Sequence, residues 1–181
     1  MTELPDDILK ALRLRAARSA LGPSSMRGAG SRGVVDAGRP FLGNLDLRRF
    51  ATSIEPQFGA ELDRATDGLM RAFPQSAQHW GLARKGLNIF LRDCLYTVYL
   101  RDAFNLGVAE SFFEVPLDSL TGRALHEASP QTLPRWQTVR GLERSVSDEF
   151  QDVASRLARE RGIARVHLDA VWWGQRTSAE A

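Results

Sequence analysis

The chain has 181 residues, 43% hydrophobic, 8% aromatic and 25% charged, with one cysteine and a formal charge of +2. At this length a chain buries roughly 70% of the surface its unfolded form exposes, enough to build a core without disulfides or metals. Cys94 alone excludes an internal disulfide and a multi-cysteine zinc site, and points to a reducing, cytoplasmic setting. No apolar run reaches the roughly 18 residues of a membrane-spanning helix, so no membrane partner is expected. The opening MTELPDDILK places acids ahead of an amphipathic stretch, unlike a secretory signal.

In chain order, Pro5 to Ala20 reads as an amphipathic helix and Leu21 to Pro40, rich in Gly, Ser and Pro, as a flexible loop. Between Ile8 and Val35 lie Lys10, Arg13, Arg15, Arg18, Arg27 and Arg32 without an acidic residue, a patch suited to phosphate. From Phe41 to Phe73 apolar residues recur at helical spacing, predicting two helices that meet near Pro56. The longest periodic segment, from about His79 to Asn105, predicts a central helix. Glu114 to Asp118 reads as an extended entry, held by Pro116 and capped by Asp118, into a helix from Ser119 to about His126. A further helix is expected from a cap at Ser145 or Ser147 to Gly162, then a short segment from Ala164 to Gln175. No alternating strand pair is present, so the expected fold is all-α, a compact multi-helix domain. The expected organisation is a basic helix and loop over 1–40, a helical domain over 41–176 and a disordered tail over 177–181.

Lysine is rare: of 24 basic residues only Lys10 and Lys85 are lysines. Lys85 stands near the start of the central helix, with Asn88 and Arg92 on its face. Two uses are open to it. Burial and a neighbouring arginine would depress its pKa and leave a nucleophilic amine, or its stem would lie on the core with the ammonium reaching water. Asp118 is either a plain N-cap or an ionised carboxylate that steadies a sugar cation. Asp169 neighbours Trp172 and Trp173 on a helix, after His167. Such a group can stack on a base and accept its amino hydrogens, or the tryptophans can pack in the core. His79, His126 and His167 lack ligand spacing, so no metal is expected. No glycine-rich phosphate loop or Gly-x-Ser-x-Gly elbow is present, which disfavours nucleotide hydrolysis and serine hydrolase chemistry.

Three segments in order, Arg84-Lys85-Gly86-Leu87-Asn88-Ile89-Phe90, Val115-Pro116-Leu117-Asp118-Ser119 and Val166-His167-Leu168-Asp169-Ala170-Val171-Trp172-Trp173, resemble the helix-hairpin-helix DNA glycosylase superfamily. The match is strongest to the archaeal 8-oxoguanine DNA glycosylase branch and covers about Trp80 to Gly174. The resemblance implies a base-excision glycosylase with abasic-site lyase activity, Lys85 as Schiff-base nucleophile and Asp118 as its assistant. Asp169, His167, Trp172 and Trp173 would form the base pocket. It implies damaged DNA as partner and no cofactor. Phosphates would be met by Arg84, Arg92, Arg13, Arg15 and Arg18. One departure stands out: the family's Leu-Pro-Gly-x-Gly hairpin is missing, and Phe73 to Trp80 occupies its place. The basic segment before Val35 would then anchor the backbone. Two other readings compete, a non-catalytic helical nucleic-acid binder and an interaction module in which Lys85 and Asp118 form an ion pair.

Overall fold

A computed structural model of the chain describes residues 4–23, 25, 26 and 33–172. Among them every regular element is helical: α1 (Asp6–Ala20), α2 (Val34–Gly43), α3 (Glu55–Ala72), α4 (Trp80–Tyr96), α5 (Val98–Ala103), α6 (Ser119–Ala128) and α7 (Arg144–Glu160). Short 3-10 turns over Leu47–Phe50, Gln75–Ala77, Leu106–Phe112 and Arg165–His167 join them. No described helix is long and apolar enough to cross a membrane.

Two apolar cores organise the molecule. The main core gathers Ala17 and Ala20 of α1, Leu42 of α2, Phe58 and Leu69 of α3, and Leu87 and Phe90 of α4, all fully or almost fully buried. The second core joins Val115, Leu117 and Leu168 to Leu125 of α6 and Phe150 and Ala154 of α7. Helix α4 is buried along most of its length. Such a helix acts as the axis on which neighbours are placed.

Several boundaries differ from the sequence expectation. Residues 34–40 are not loop but most of α2, with Val34 and Leu42 buried. Gly38 explains the disguise: a Cβ there would lie 2.4 Å from Leu21 and 2.8 Å from Phe73, so the glycine permits close packing rather than a turn. The expected division at residue 40 therefore falls inside α2, and α1 shares the main core. Of the two helices expected to meet near Pro56 only the second forms: α3 begins at Glu55 with Pro56 in its first turn, where the missing N–H is harmless, while the end of α2 and a 3-10 turn over Leu47–Phe50 stand in place of the first. The expected central helix breaks at Thr97, which is extended (φ −81°, ψ 102°) and whose Oγ1 donates to the Asp93 carbonyl at 2.8 Å. Neither Ser145 nor Ser147 caps α7; Glu143 holds the cap position, and Ser147 is buried within the helix. Gly162 does end α7, with φ +67°. The tail over 177–181 lies outside the described residues.

Candidate active site

Adjacent residues of α4, Arg84 and Lys85, serve opposite purposes. Arg84 turns inward, only 5% exposed. Its Nε and Nη2 donate to the two carboxylate oxygens of Glu114, both at 2.9 Å, and Nη1 donates to Asp63 at 3.0 Å and Thr66 at 2.9 Å. Asn88 adds a 2.8 Å hydrogen bond to Glu114, so it joins this buried cluster instead of the face of Lys85. Burial opposes the Arg84 charge, but Glu114 and Asp63 more than compensate and its pKa is raised. Arg84 is therefore not a phosphate contact: every part of its guanidinium is engaged inside the protein.

The clamp at Glu114 positions the extended segment from Val115 to Asp118. Gln151 of α7 accepts from the Val115 N–H at 3.2 Å and donates to the Val115 carbonyl at 2.8 Å, so one side-chain amide satisfies both backbone groups as a neighbouring strand would. Arg165 donates to the carbonyls of Phe112 (2.9 Å) and Phe113 (3.2 Å). Held on both sides, the segment delivers Asp118 to the head of α6, where its Oδ1 accepts from Leu120 N–H at 2.9 Å and Thr121 N–H at 3.0 Å. Asp118 is thus the N-cap the sequence predicts, with Oδ1 committed to the helix. Asp118→Ala should cost about 0.5–2 kcal/mol and Asp118→Asn only a few tenths, as checked by thermal denaturation, since asparagine caps equally well.

Lys85 faces the other way, into a cleft of about 380 Å³. Helix α4 lines it with the stripe Lys85, Ile89, Arg92, Asp93 and Tyr96; Pro116 and Asp118 close one side, and Asp169 and Ala170 another. Ser19 and Ser25, at and beyond the end of α1, complete the wall. The volume lies within the range of small-molecule sites. Lys85 Nζ donates to the Ser25 carbonyl at 2.7 Å. Burial lowers its pKa below the usual lysine range, and the charges of Asp118 and Asp169 only partly restore it. Burial raises the Asp169 carboxyl, with Asp118 adding to the effect, although Arg92 pairs with Asp169 directly. Arg92 also donates to Asp93, at 3.0 Å through Nε and 2.8 Å through Nη2. The cleft therefore holds a desolvated amine among carboxylates, with one arginine already engaged.

The remaining expected site residues are distributed more widely. Trp172 is not among the residues that line the cleft but packs against the second core. Its expected place in a base pocket is corrected accordingly: the indole lies partly buried on the second core, where apolar packing holds it outside the cleft. Trp173 lies outside the described residues, as do Arg27 and Arg32. His167 stands one step behind the wall, bonded to Tyr96 and Glu110. Arg13 is half-buried, its guanidinium 5.7 Å from the Phe104 ring centre, whereas Arg15 and Arg18 are exposed. Cys94 is buried, which pushes its thiol up and leaves it unreactive. Among the described residues no group of three His, Cys, Asp or Glu side chains could hold a metal.

Sequence reasoning did not single out Tyr96, although its spacing from Lys85 and Arg92 places all three on one helical face. Nor did it see Glu114, whose partner lies 30 residues away in the chain. No protein-family model matches the chain, and comparisons with curated proteins and with solved structures give no match.

Proposed function

We propose that this protein is a DNA base-excision glycosylase with abasic-site lyase activity, acting through a Schiff base on Lys85. The observation that carries the reading is the meeting of Lys85, Asp118 and Asp169, from three distant parts of the chain, in one cleft. A general nucleic-acid binder has no need of a desolvated amine; a covalent catalyst does. An extruded damaged nucleotide enters the cleft, extrusion costing a few kcal/mol. The neutral amine attacks C1′ of the sugar, the C1′–N bond breaks, and the base departs with the electron pair and takes up a proton. Asp118 stabilises the positive charge that develops on the sugar. Opening of the C1′–O4′ bond, with a proton taken up by O4′, leaves a protonated imine on Lys85. Loss of the C2′ proton then expels the 3′ phosphate and cleaves the strand. The exposed Arg15 and Arg18 on α1 supply charge for the phosphate backbone.

Borohydride trapping tests this. Protein incubated with oligonucleotides carrying 8-oxoguanine, uracil or an abasic site should be captured by hydride reduction of the imine, and peptide mass spectrometry should place the adduct on Lys85. An adduct on another residue, or none on any of the three substrates, would overturn the proposal. Salt-sensitive binding without an adduct would leave the non-catalytic nucleic-acid binder, which the same two arginines also support.

A further inference from the structure

The amine of Lys85 is held by a backbone carbonyl from a distant part of the chain. Nζ donates to the Ser25 carbonyl at 2.7 Å, across 60 residues of sequence. A carbonyl oxygen only accepts, so the direction of this bond is the same for the charged and the neutral amine. In the neutral amine Ser25 takes one of two N–H bonds, and the lone pair can turn only about that bond.

The turn that carries Ser25 follows α1 and is locked from several sides. Within it the Gly22 N–H donates to Ser25 Oγ at 2.9 Å, and the Met26 N–H donates to the Gly22 carbonyl at 3.0 Å. From α2, Arg39 Nε donates to the Leu21 carbonyl at 3.2 Å. Leu21 is fully buried, and its two methyls meet two helix glycines. A Cβ at Gly38 of α2 would lie 2.4 Å from Cδ1; one at Gly86 of α4 would lie 2.9 Å from Cδ2 and 3.5 Å from Met26 Cε. Glycine weakens a helix interior, but Gly86 follows Lys85 directly, and its bare backbone lets the turn approach until Ser25 reaches the neighbouring amine.

The titratable groups around the amine come from the other walls of the cleft: Arg92, Asp93 and Tyr96 on α4, Asp118 at the head of α6, and Asp169 after the last 3-10 turn. On the opposite side α1 and its turn present only Ser19 and Ser25 among the described lining residues. A carboxylate at the place of Ser25 would draw the ammonium and keep its proton; a carbonyl holds the nitrogen without adding a charge. We infer that the turn after α1 is a positioning element of the nucleophile, in which Leu21 and Gly86 act through the Ser25 carbonyl to fix Lys85 Nζ in the cleft and shield it from water. The inference rests on the reading of Lys85 as a Schiff-base nucleophile.

The test reads the amine directly, without turnover. Lys10 and Lys85 are the only lysines, so isotope labelling of lysine Cε with NMR detection gives two signals, and Lys85→Gln assigns them. Gly86→Ala sets a methyl against Leu21 and Met26 and displaces the turn. Leu21→Val shortens the side chain that seats the turn and adds no clash, so it carries the test if the alanine variant does not fold. In both variants water and the carboxylates of Asp118 and Asp169 gain access to the amine, and the Lys85 titration should move up towards the usual lysine range. At saturating abasic oligonucleotide the borohydride-trapped imine should form about tenfold more slowly, with affinity for that oligonucleotide unchanged. A Lys85 titration that is unmoved or lowered in the folded variants overturns the inference. So does a loss of affinity with titration and trapping rate unchanged, which makes the turn a wall of the cleft only. The two proposals fail separately: an adduct on Lys85 whose titration ignores both substitutions removes this one alone, and a titration that moves in a protein that never traps removes the Schiff-base reading while leaving the turn's hold on the amine.

Discussion

Lys85→Gln should abolish the borohydride adduct and lower base release by about a thousandfold or more, the scale on which removal of a covalent nucleophile is felt. The protein with Lys85 intact should show a pH dependence of matching origin. Only the neutral amine attacks, so activity rises with pH as Lys85 loses its proton and falls on the acid side. Because burial lowers the pKa of this lysine, that rise should sit below the range of an ordinary lysine. Glutamine keeps the polarity of the cleft wall and most of its length, so circular dichroism and thermal denaturation of the variant should match the parent closely. Single-turnover assays at several pH values measure both effects. A variant that is folded and fully active would show that the amine takes no part.

Glu114→Ala should destabilise the fold by about 3–5 kcal/mol, because it leaves Nε and Nη2 of a buried guanidinium without their carboxylate. The side chains of Arg84 and Glu114 are 6% and 7% exposed, so water cannot replace the lost carboxylate. The pair also sets an acid limit. Burial alone would push the Glu114 carboxyl up, but Arg84, with Arg165 and Asn88, reverses this and holds it below the usual carboxylate range. For a group depressed in the folded state, the stabilisation is complete above the unfolded pKa near 4.5 and is lost as pH falls through the folded value. The parent should lose stability in that acid window, and Glu114→Ala should show less dependence there. Urea denaturation between neutral and acid pH reads both the loss and its pH profile.

Legibility followed locality. Asp118 was readable because proline and aspartate set a helix entry within five residues, and the two amides it caps are where that rule places them. Lys85 stood out as a rare lysine on an otherwise apolar helix, and Asp169 by its place in a short motif; the structure puts both in one cleft with Asp118. Arg84 was unreadable for the opposite reason. Nothing near it in the chain names Glu114 and Asp63 as partners, and an unpartnered arginine looks like a surface phosphate contact. Helix α2 was lost to its glycines and Pro40, which signal a loop until Leu21 and Phe73 are seen to need the space above Gly38. Trp172 was ambiguous by nature, since an indole serves a ligand or a core equally well and only tertiary packing decides.

The reactive groups draw on both cores. Lys85 rides on a helix of the main core, whereas Asp118 and Asp169 are neighbours of Leu117 and Leu168 in the second, so the cleft runs along the seam between them. Apolar contact crosses that seam as well: Leu142 of the second core closes on Gly81 of α4, and Trp80 of α4 packs against the second core. Lys85 and its two carboxylates are thus carried by different bodies of buried surface, so a substitution deep in either core shifts the amine against Asp118 and Asp169 without touching any of the three.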